Sequence, residues 1–414
     1  MTHDGRDWGV VAVFAIVYLG MFLGGLPRLK LDRSGVALLG AIAMIALTGM
    51  PMAEAAQAVD LPTIVLLFSF MIVSAQMGLG GFYAEVTRRV AALPLSRAGL
   101  LAVLIVVAGA LSAIFSNDVI CLAMTPMVAR LCLRRGLDPV PFLVGLACAA
   151  NIGSAATLIG NPQNMLIGSV LKLPFAAYLQ SAVVPVGLSL LLLWLWLAWG
   201  AGRDRAAPTQ ALTANAGPEA AGPAFDRWQT TKGLLVAVAL MVVFVSGDRP
   251  HEVVALIGAG VLLLSRQLHS SEVMKQIDWP LLVLFMGLFV VNHAFETTGL
   301  AAEAVAWMAG HGVHLHEPGP LLVASVGLSN LVSNVPAVML MLPHLQDQGT
   351  AAGVMLALAS TFAGNLLLVG SIANLIVADL AAREGIVLEW GRHARIALPL
   401  TLASLAIVWF WLGR

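Results

Sequence analysis

Apolar stretches long enough to cross a lipid bilayer recur along this chain and restrict its fold more than any other feature. A bilayer core of about 30 Å requires roughly 20 apolar residues in a helix. Single spans are predicted near 9–26, 34–50, 62–81, 181–199, 231–247, 252–265, 279–299 and 396–412. Apolar residues make up 59% of the chain and charged residues 11%, and the mean hydropathy is +0.91. These values exclude a soluble globular protein and predict an all-α polytopic membrane protein in a lipid bilayer.

The charge balance and the cysteines exclude two further classes of protein. The 22 basic and 22 acidic side chains cancel, so there is no positive surplus for nucleic acid, and no nucleic acid is expected as a partner. Cys121, Cys132 and Cys148 all fall in apolar segments, which predicts no disulfide framework.

The distribution of the basic residues predicts the orientation in the membrane. With these spans, 18 of the 22 lysines and arginines fall on one side, and Arg6, Lys172, Arg249 and Arg414 fall on the other. Because cytoplasmic loops carry the excess of Lys and Arg, we expect the N-terminus outside and the 201–229 loop in the cytoplasm. The expected location is the inner (cytoplasmic) membrane of a cell.

A polar stretch rich in Ala, Pro and Gly at 201–229 predicts a flexible linker between membrane units at 1–200 and 230–414. The two units resemble copies of one sequence. Asp60-Leu-Pro matches Asp278-Trp-Pro, 36–43 matches 254–261, Ser116-Asn117 matches Ser333-Asn334, and 160–164 matches 370–374. An odd number of spans in the first copy inverts the second. We therefore predict two inverted-topology repeats with about 10 spanning helices.

Two apolar regions are interrupted by short polar motifs and predict re-entrant hairpins. Only nine residue steps separate Asn334 from Pro343, about 14 Å of helix, which cannot cross a bilayer. Region 318–344 is therefore expected to enter and leave on the outer side. The matching region 98–133, interrupted at 116–118, is expected to open on the inner side, with two full spans as the alternative.

Two further regions predict helices that are broken inside the membrane. Region 139–171 would make about 50 Å of straight helix, and its centre carries Asn151, Gly160, Asn161-Pro162 and Asn164. Asn161 suits a helix cap and Pro162 a first turn. The second copy has Asn365, Gly370, Ser371 and Asn374, with Ser371 as the expected cap.

These interruptions predict the binding of an anion together with a cation. Backbone groups freed in hydrocarbon are costly unless they line a cavity. A helix N-terminus favours an anion, whereas carbonyl and Asn oxygens favour Na⁺. The candidate binding residues are Ser116, Asn117, Asp118, Asn151, Gly160, Asn161, Asn164, Ser333, Asn334, Asn365, Gly370, Ser371 and Asn374.

Asn117, Asp118 and Asn334 are the candidate Na⁺ ligands within this set. Asp118 is interpreted either as a cation or proton site or as a cap of the second hairpin helix. Na⁺ or H⁺ is the expected coupling ion, and no other cofactor is expected.

These motifs resemble those of the ion transporter superfamily, which includes divalent anion/sodium symporters, citrate-type permeases and arsenite efflux permeases. The Ser-Asn-Thr hairpin tips of that family are similar to Ser116-Asn117-Asp118 and Ser333-Asn334-Val335, and its broken-helix motifs are similar to 160–164 and 370–374. The likeness covers about residues 30–410. It implies an inverted-repeat homodimer in which a transport domain moves like an elevator against a scaffold.

The sequence departs from this family at the third tip position. Asp118 and Val335 stand where the symporters have Thr, which is a difference from dicarboxylate carriers. Asp118 is nearer to the arsenite and proton-antiport branches of the family.

The predicted function is secondary active transport of a small anion, an organic di- or tricarboxylate or an inorganic oxyanion, coupled to Na⁺ or H⁺. Two alternatives stay open: an arsenite or oxyanion efflux permease that exchanges substrate against protons, and a Na⁺/H⁺ antiporter. A passive channel is disfavoured because it needs no duplicated pair of hairpins. An enzyme is disfavoured because no catalytic or metal-binding constellation lies in one predicted cavity.

Overall fold

The computed structural model describes residues 5–26, 29–200, 224–247, 249–345 and 348–413. Within these residues the chain forms twenty α-helices and no strand. The first ten are α1 (Gly5–Leu23), α2 (Arg33–Thr48), α3 (Met52–Ala58), α4 (Leu61–Leu79), α5 (Phe82–Ala92), α6 (Arg97–Phe115), α7 (Asn117–Arg134), α8 (Pro139–Ser154), α9 (Pro162–Val170) and α10 (Phe175–Leu195).

The second ten helices follow the 201–223 segment, which lies outside the described residues. They are α11 (Arg227–Ser246), α12 (His251–Leu263), α13 (Ser270–Lys275), α14 (Trp279–Glu296), α15 (Leu300–Gly310), α16 (Pro318–Val332), α17 (Asn334–Met341), α18 (Gly349–Ala363), α19 (Ile372–Arg383) and α20 (Trp390–Leu412). Asp226 caps α11, so the last residues of the predicted linker are helical.

Seven of the described helices are long and apolar enough to cross a membrane, which agrees with the predicted all-α membrane protein. Each of the eight predicted single spans coincides with a helix. The largest shifts are at α10, which begins directly after Pro174, and at α20, which begins at Trp390. Hydropathy misses the first turns of α20 because they contain Arg392 and Arg395.

Four short helices were absent from the sequence prediction: α3, α5, α13 and α15. They are shorter than a bilayer crossing, so a search for apolar spans does not find them. In α5 the buried Glu85 pairs with both Arg88 and Arg89, so charged residues interrupt the apolar pattern.

Contacts between helix ends define the two sides of the molecule. We call the side where α10 ends and α11 begins the linker side. The Arg97 guanidinium at the start of α6 donates to the Leu197 carbonyl, and the Asp226 N–H donates to the Gly80 carbonyl after α4. The Trp411 indole near the end of α20 donates to Ser181 near the start of α10, on the opposite side.

The two hairpins open on different sides. The Arg135 guanidinium after α7 donates to the carbonyls of Ala91 and Leu93 before α6, so α6–α7 begins and ends on the linker side. Gly319 at the start of α16 lies against Trp409, and α17 ends beside the 57–61 segment, on the opposite side. At 15 and 8 residues, α16 and α17 are only about 22 and 12 Å long.

The helices form two packed groups. In the first, which we call the frame (α1–α4 and α11–α14), α2 packs along α14 and α4 along α12. In the second, the hairpin group (α6–α10 and α16–α20), α6 and α7 pack on α8, α16 on α18, and α7 on α19. Contacts between the groups are sparser and include α4 with α9 and α14 with α17. The pairs α2–α14 and α4–α12 are related by exchange of corresponding helices of the two halves, an arrangement expected of an inverted duplication.

Candidate functional site

Two helices of the hairpin group are interrupted at corresponding places. Helix α8 ends at Ser154 and α9 begins at Pro162, while α18 ends at Ala363 and α19 begins at Ile372. The Asn161 carboxamide oxygen accepts the Asn164 N–H at 2.9 Å, and the Ser371 hydroxyl accepts the Ala373 N–H at 3.2 Å. Each restarted helix therefore has a side-chain cap, and its remaining first-turn N–H groups point into the break.

Gly160 and Gly370 are required by close approach of the chain to itself. A Cβ at Gly160 would lie 2.1 Å from the Ser154 carbonyl oxygen, and one at Gly370 would lie 2.9 Å from that of Gly364. Both glycines therefore permit the chain to fold back within a break, and they have no side chain with which to bind a ligand.

The hairpin tips are strained turns that reach these breaks. Ser116 and Ser333 combine positive φ angles of 70° and 77° with extended ψ angles of 133° and 159°, a sparsely populated region that costs an L-residue about 1–3 kcal/mol. The Asn117 N–H donates to the Gly160 carbonyl at 3.3 Å, and the Asn334 side chain lies against Gly364. Each tip thus contacts the break in its own half.

Asn151 joins the two halves through its side chain. Its Oδ1 accepts from Asn117 Nδ2 at 2.9 Å and from the Ser371 hydroxyl at 3.1 Å. Its Nδ2 donates to Asn365 Oδ1 at 2.8 Å and to Asn374 Oδ1 at 3.3 Å. The residue is 1% exposed, so all four partners meet in the protein interior.

Thr361 makes the corresponding contacts from the second half of the chain to the first. It lies in α18 at the position that matches Asn151 in the repeat, and its hydroxyl accepts from Asn161 Nδ2 at 3.4 Å and Gln163 Nε2 at 3.2 Å. Asn161 also donates to the Ser154 hydroxyl at 2.9 Å. We call the residues joined in this way the amide cluster: Asn117, Asn151, Ser154, Asn161, Gln163, Thr361, Asn365, Ser371 and Asn374.

Four buried amide oxygens near the breaks have no hydrogen-bond partner among the described residues. They belong to Asn117, Asn164, Asn330 and Asn334. Asn330 and Asn334 flank the second tip, and Asn330 Oδ1 is also close to Gly370. Uncharged oxygens of this kind suit a hard cation such as Na⁺, and an unpaired buried oxygen is otherwise costly.

Asn164 and Asn374, which match in the repeat, both commit their amide nitrogens to the fold. Asn374 Nδ2 donates to the Gly364 and Leu367 carbonyls at 2.9 and 3.1 Å. Asn164 does the same in the first break. Its Nδ2 donates to the Thr157 carbonyl and to the Tyr178 hydroxyl, both at 2.9 Å. The Tyr178 hydroxyl in turn donates to the Ala155 carbonyl at 2.8 Å. These bonds hold the first break in shape.

Asp118 lies at the first tip and lines a cavity rather than joining the described bonds of the amide cluster. This linker-side cavity has a volume of about 220 Å³ and is lined also by Ser116, Ser74, Leu122 and Asp278. Its walls are otherwise mostly apolar. Asp118 therefore lies next to Asn117 of the amide cluster and lines the cavity on the linker side.

A second cavity lies on the opposite side and is built from corresponding positions of the other half. It has a volume of about 380 Å³ and is lined by Asp60, Asn292, His293, Glu296 and Met339. In the repeat these positions match Asp278, Ser74, Ala75, Gly78 and Leu122 of the linker-side cavity. A third cavity of about 770 Å³ on the opposite side reaches Leu158 and Ile159 in the first break, with Lys172 and Arg249 at its wall.

The structure therefore brings six of the thirteen predicted residues together in the amide cluster and adds others. Asn117, Asn151, Asn161, Asn365, Ser371 and Asn374 are in one hydrogen-bonded cluster, whereas Asp118 and Asn334 are not joined to it by a described bond. Sequence reasoning missed Thr361, Gln163, Asn330 and His393. His393 in α20 is 3% exposed, and its Nε2 lies 3.1 Å from the Asn365 carbonyl oxygen. The repeat itself contained a signal for Thr361, since it matches Asn151.

Comparison with known proteins identifies the family. The sequence matches the citrate transporter family over residues 14–354. The chain belongs to that family. It is 30% identical to the silicon efflux transporter LSI3 of Oryza sativa subsp. japonica, with 95% of each chain covered. It is 28% identical to the inner membrane protein YbiR of Escherichia coli, covering 83% of this chain and 86% of that one.

Solved structures share the fold of this citrate transporter family member. The YdaH transporter of Alcanivorax borkumensis superposes with a TM-score of 0.57 at 16% identity, covering 99% of this chain and 98% of that one. MtrF of Neisseria gonorrhoeae gives a TM-score of 0.57 at 11% identity, with 100% and 95% covered. The protein is a multi-pass membrane transporter and not an enzyme, as the sequence predicted.

Proposed function

We propose that this protein is a secondary active transporter of a small anion, an organic di- or tricarboxylate or an inorganic oxyanion, coupled to Na⁺ or H⁺. The observation that carries the proposal is the bonding of Asn151, which joins one hairpin tip to the break of the other half. Two capped helix N-termini converge there, and they favour a negatively charged group. The unpaired amide oxygens at the tips supply ligands for a cation.

The two helix groups support alternating access by an elevator-like movement. All residues of the amide cluster belong to the hairpin group, and cavities lie between that group and the frame on each side. Sliding of the hairpin group along α4 and α14 would expose the cluster first to one cavity and then to the other. The domain division at 1–200, 201–229 and 230–414 is part of this proposal.

Efflux of an oxyacid against protons is the second candidate function, and a specific observation favours it. The side-chain groups of the amide cluster are amides and hydroxyls, and the His393 imidazole contacts the carbonyl of its member Asn365. These groups also suit an uncharged, hydroxyl-rich acid. Asp118 lines the adjacent cavity and would bind the exchanged proton. The relative LSI3 is a silicon efflux transporter.

The orientation and the oligomeric state complete the proposal. The basic residues Arg97, Arg135 and Lys232 lie on the linker side, which by the positive-inside rule is the cytoplasmic side. The N-terminus is then outside, in the inner membrane. The family resemblance supports a homodimer.

Uptake into proteoliposomes tests both functions. Citrate, succinate, sulfate, phosphate, arsenite and silicic acid are compared with a Na⁺ gradient, a pH gradient or neither. A carrier coupled to Na⁺ moves its anion only with the Na⁺ gradient, whereas an oxyacid exchanger responds to the pH gradient. Failure of every solute to move under any gradient contradicts the proposal.

Asp118→Asn separates the two coupling modes. We expect this change to abolish proton-coupled exchange, because the amide cannot carry the proton, and to leave Na⁺-coupled uptake largely intact. The measurement is initial uptake rate in each gradient. Full proton-coupled exchange by the variant excludes Asp118 from that role.

A further inference from the structure

A hydrogen bond between the two helix groups fixes the present conformation on the opposite side. Asp60 caps α4 of the frame, and its Oδ1 accepts the Thr63 N–H at 2.9 Å. The same oxygen accepts the hydroxyl of Ser169, which lies in α9 of the hairpin group, at 2.7 Å. This bond lies at the contact of α4 with α9, across which an elevator movement must slide.

The corresponding positions of the other half carry different chemistry. Asp278 caps α14 just as Asp60 caps α4, with its Oδ1 accepting the Leu281 N–H at 3.0 Å. The residue that matches Ser169 is Asp379 in α19, one turn before Arg383, whose guanidinium binds it at 2.7 Å. Asp379 and Arg383 are 63% and 70% exposed, and no described bond joins them to Asp278.

An exchange of conformation between the two halves brings these groups together. In an inverted-repeat carrier, the contact made by α4 and α9 in one state is made by α14 and α19 in the other. Asp278 would then meet Asp379, and two carboxylates without a cation repel one another. Arg383 already binds Asp379 and has further N–H donors in its planar guanidinium, enough to bind a second carboxylate.

We propose that Arg383, held by Asp379, binds Asp278 in the alternate conformation and forms an ionic latch that closes the linker side. The latch replaces the hydroxyl–carboxylate hydrogen bond between Ser169 and Asp60, so each state has its own bond between the frame and the hairpin group. Of the charged residues nearby, Lys275 pairs with Glu272 and Glu384 with Arg130, while Asp118 lines the same cavity as Asp278. This inference rests on the proposed alternating access.

Cross-linking of matched cysteine pairs in the purified protein tests the latch. Leu61 and Val170 line one cavity in the present state, and the positions that match them are Trp279 and Leu380. The pair Trp279→Cys with Leu380→Cys reports the alternate state, and the pair Leu61→Cys with Val170→Cys reports the present one. A short bifunctional thiol reagent traps either state irreversibly, so even a minor population accumulates.

Arg383→Gln is expected to slow cross-linking of the 279/380 pair by roughly two- to fivefold, the effect of an exposed ion pair. Cross-linking of the 61/170 pair should not become slower, and this control shows that the variant is folded. Adding Asp379→Ser to Arg383→Gln supplies the hydroxyl that Ser169 gives to Asp60 and should restore the rate. Ser169→Ala should slow cross-linking of the 61/170 pair.

Two results overturn the proposal, and they are distinguishable. The latch is rejected, and alternating access is left intact, if Arg383→Gln does not change the cross-linking rate of the 279/380 pair. The same conclusion follows if adding Asp379→Ser does not restore that rate. A 279/380 pair that never cross-links, while 61/170 does, rejects the exchange of states and the latch with it. Neither result depends on which solute is transported.

Discussion

Asn151 shows how one side chain can organise a site that has few charges. It uses both donors and both acceptor positions of its carboxamide, and its partners come from a hairpin tip and from the break of the other half. A buried amide is stable only when its groups are paired. Any movement that opens this cluster must therefore supply replacements, either water or a bound solute.

Asn151→Ala is expected to reduce transport about tenfold or more and to lower the thermal midpoint. The change leaves Asn117, Asn365 and Ser371 each with one unpaired buried group, at roughly 1–3 kcal/mol apiece. Uptake in proteoliposomes and thermal unfolding in detergent measure the two effects.

Ser112→Ala is the matched control for this variant. Ser112 is also fully buried in the hairpin group, but its hydroxyl has no partner among the described residues. Its removal should leave both measurements near those of the unmodified protein. Equal losses in the two variants would show that the bonds of Asn151 carry no special function.

At the scale of elements, the hairpins and the broken helices depend on one another. The tips have backbone strain at Ser116 and Ser333, and the breaks interrupt the regular helical hydrogen bonding between α8 and α9 and between α18 and α19. Each defect is stabilised by its contact with the other, as in the bond from the Asn117 N–H to the Gly160 carbonyl. Strain of this kind persists only where surrounding structure holds it in place.

The two hairpins should be labelled from opposite sides of the membrane. Single cysteines at Leu95 and Arg135, which flank α6–α7, are expected to react with an impermeant thiol reagent only in inside-out vesicles. Cysteines at Glu317 and Gln348, which flank α16–α17, should react only from outside. The native cysteines are buried and give little background.

Labelling of one residue of a flanking pair from each side would contradict a hairpin. If Leu95 reacts from inside and Arg135 from outside, then an odd number of crossings separates them. Reversal of all four patterns would keep the hairpins and invert the proposed orientation.

At the scale of the whole molecule, the proposed function depends on movement between two groups of helices with few contacts between them. The ion pair of Asp138 with Arg392 lies within the hairpin group, and the bond of Ser169 with Asp60 joins that group to the frame. Contacts inside each group are extensive, whereas those between the groups are sparse. A movement of one group as a rigid body is therefore the least costly large change.

Cross-links within and between the groups should have different effects on transport. A thiol cross-link between Leu61→Cys and Val170→Cys ties the frame to the hairpin group and is expected to stop uptake. The same reagent on Asp138→Cys with Arg392→Cys ties two helices that move together and should leave most of the uptake rate. Uptake before and after release of the cross-link is the measurement, and full uptake with the 61/170 pair bridged contradicts the elevator movement.

The sequence alone predicted the helical membrane class, the family and the positions of both breaks. These features depend on local composition: apolar runs fix the spans, and Asn161, Pro162 and Ser371 fix where helices restart. The repeat matched residues far apart in the chain because corresponding positions perform the same local task, as with the caps Asp60 and Asp278.

Only the tertiary structure decided which polar groups meet. Asn151 and Asn374 are far apart in sequence, and their contact exists because α8 and α19 pack together. The meeting of α7 with residues of α4, α5 and α9 likewise places Asp118 at the linker-side cavity, which its position at a tip did not indicate. Hydropathy and capping act over one or two helical turns, whereas the direction of a buried side chain depends on the packing of helices from both halves of the chain.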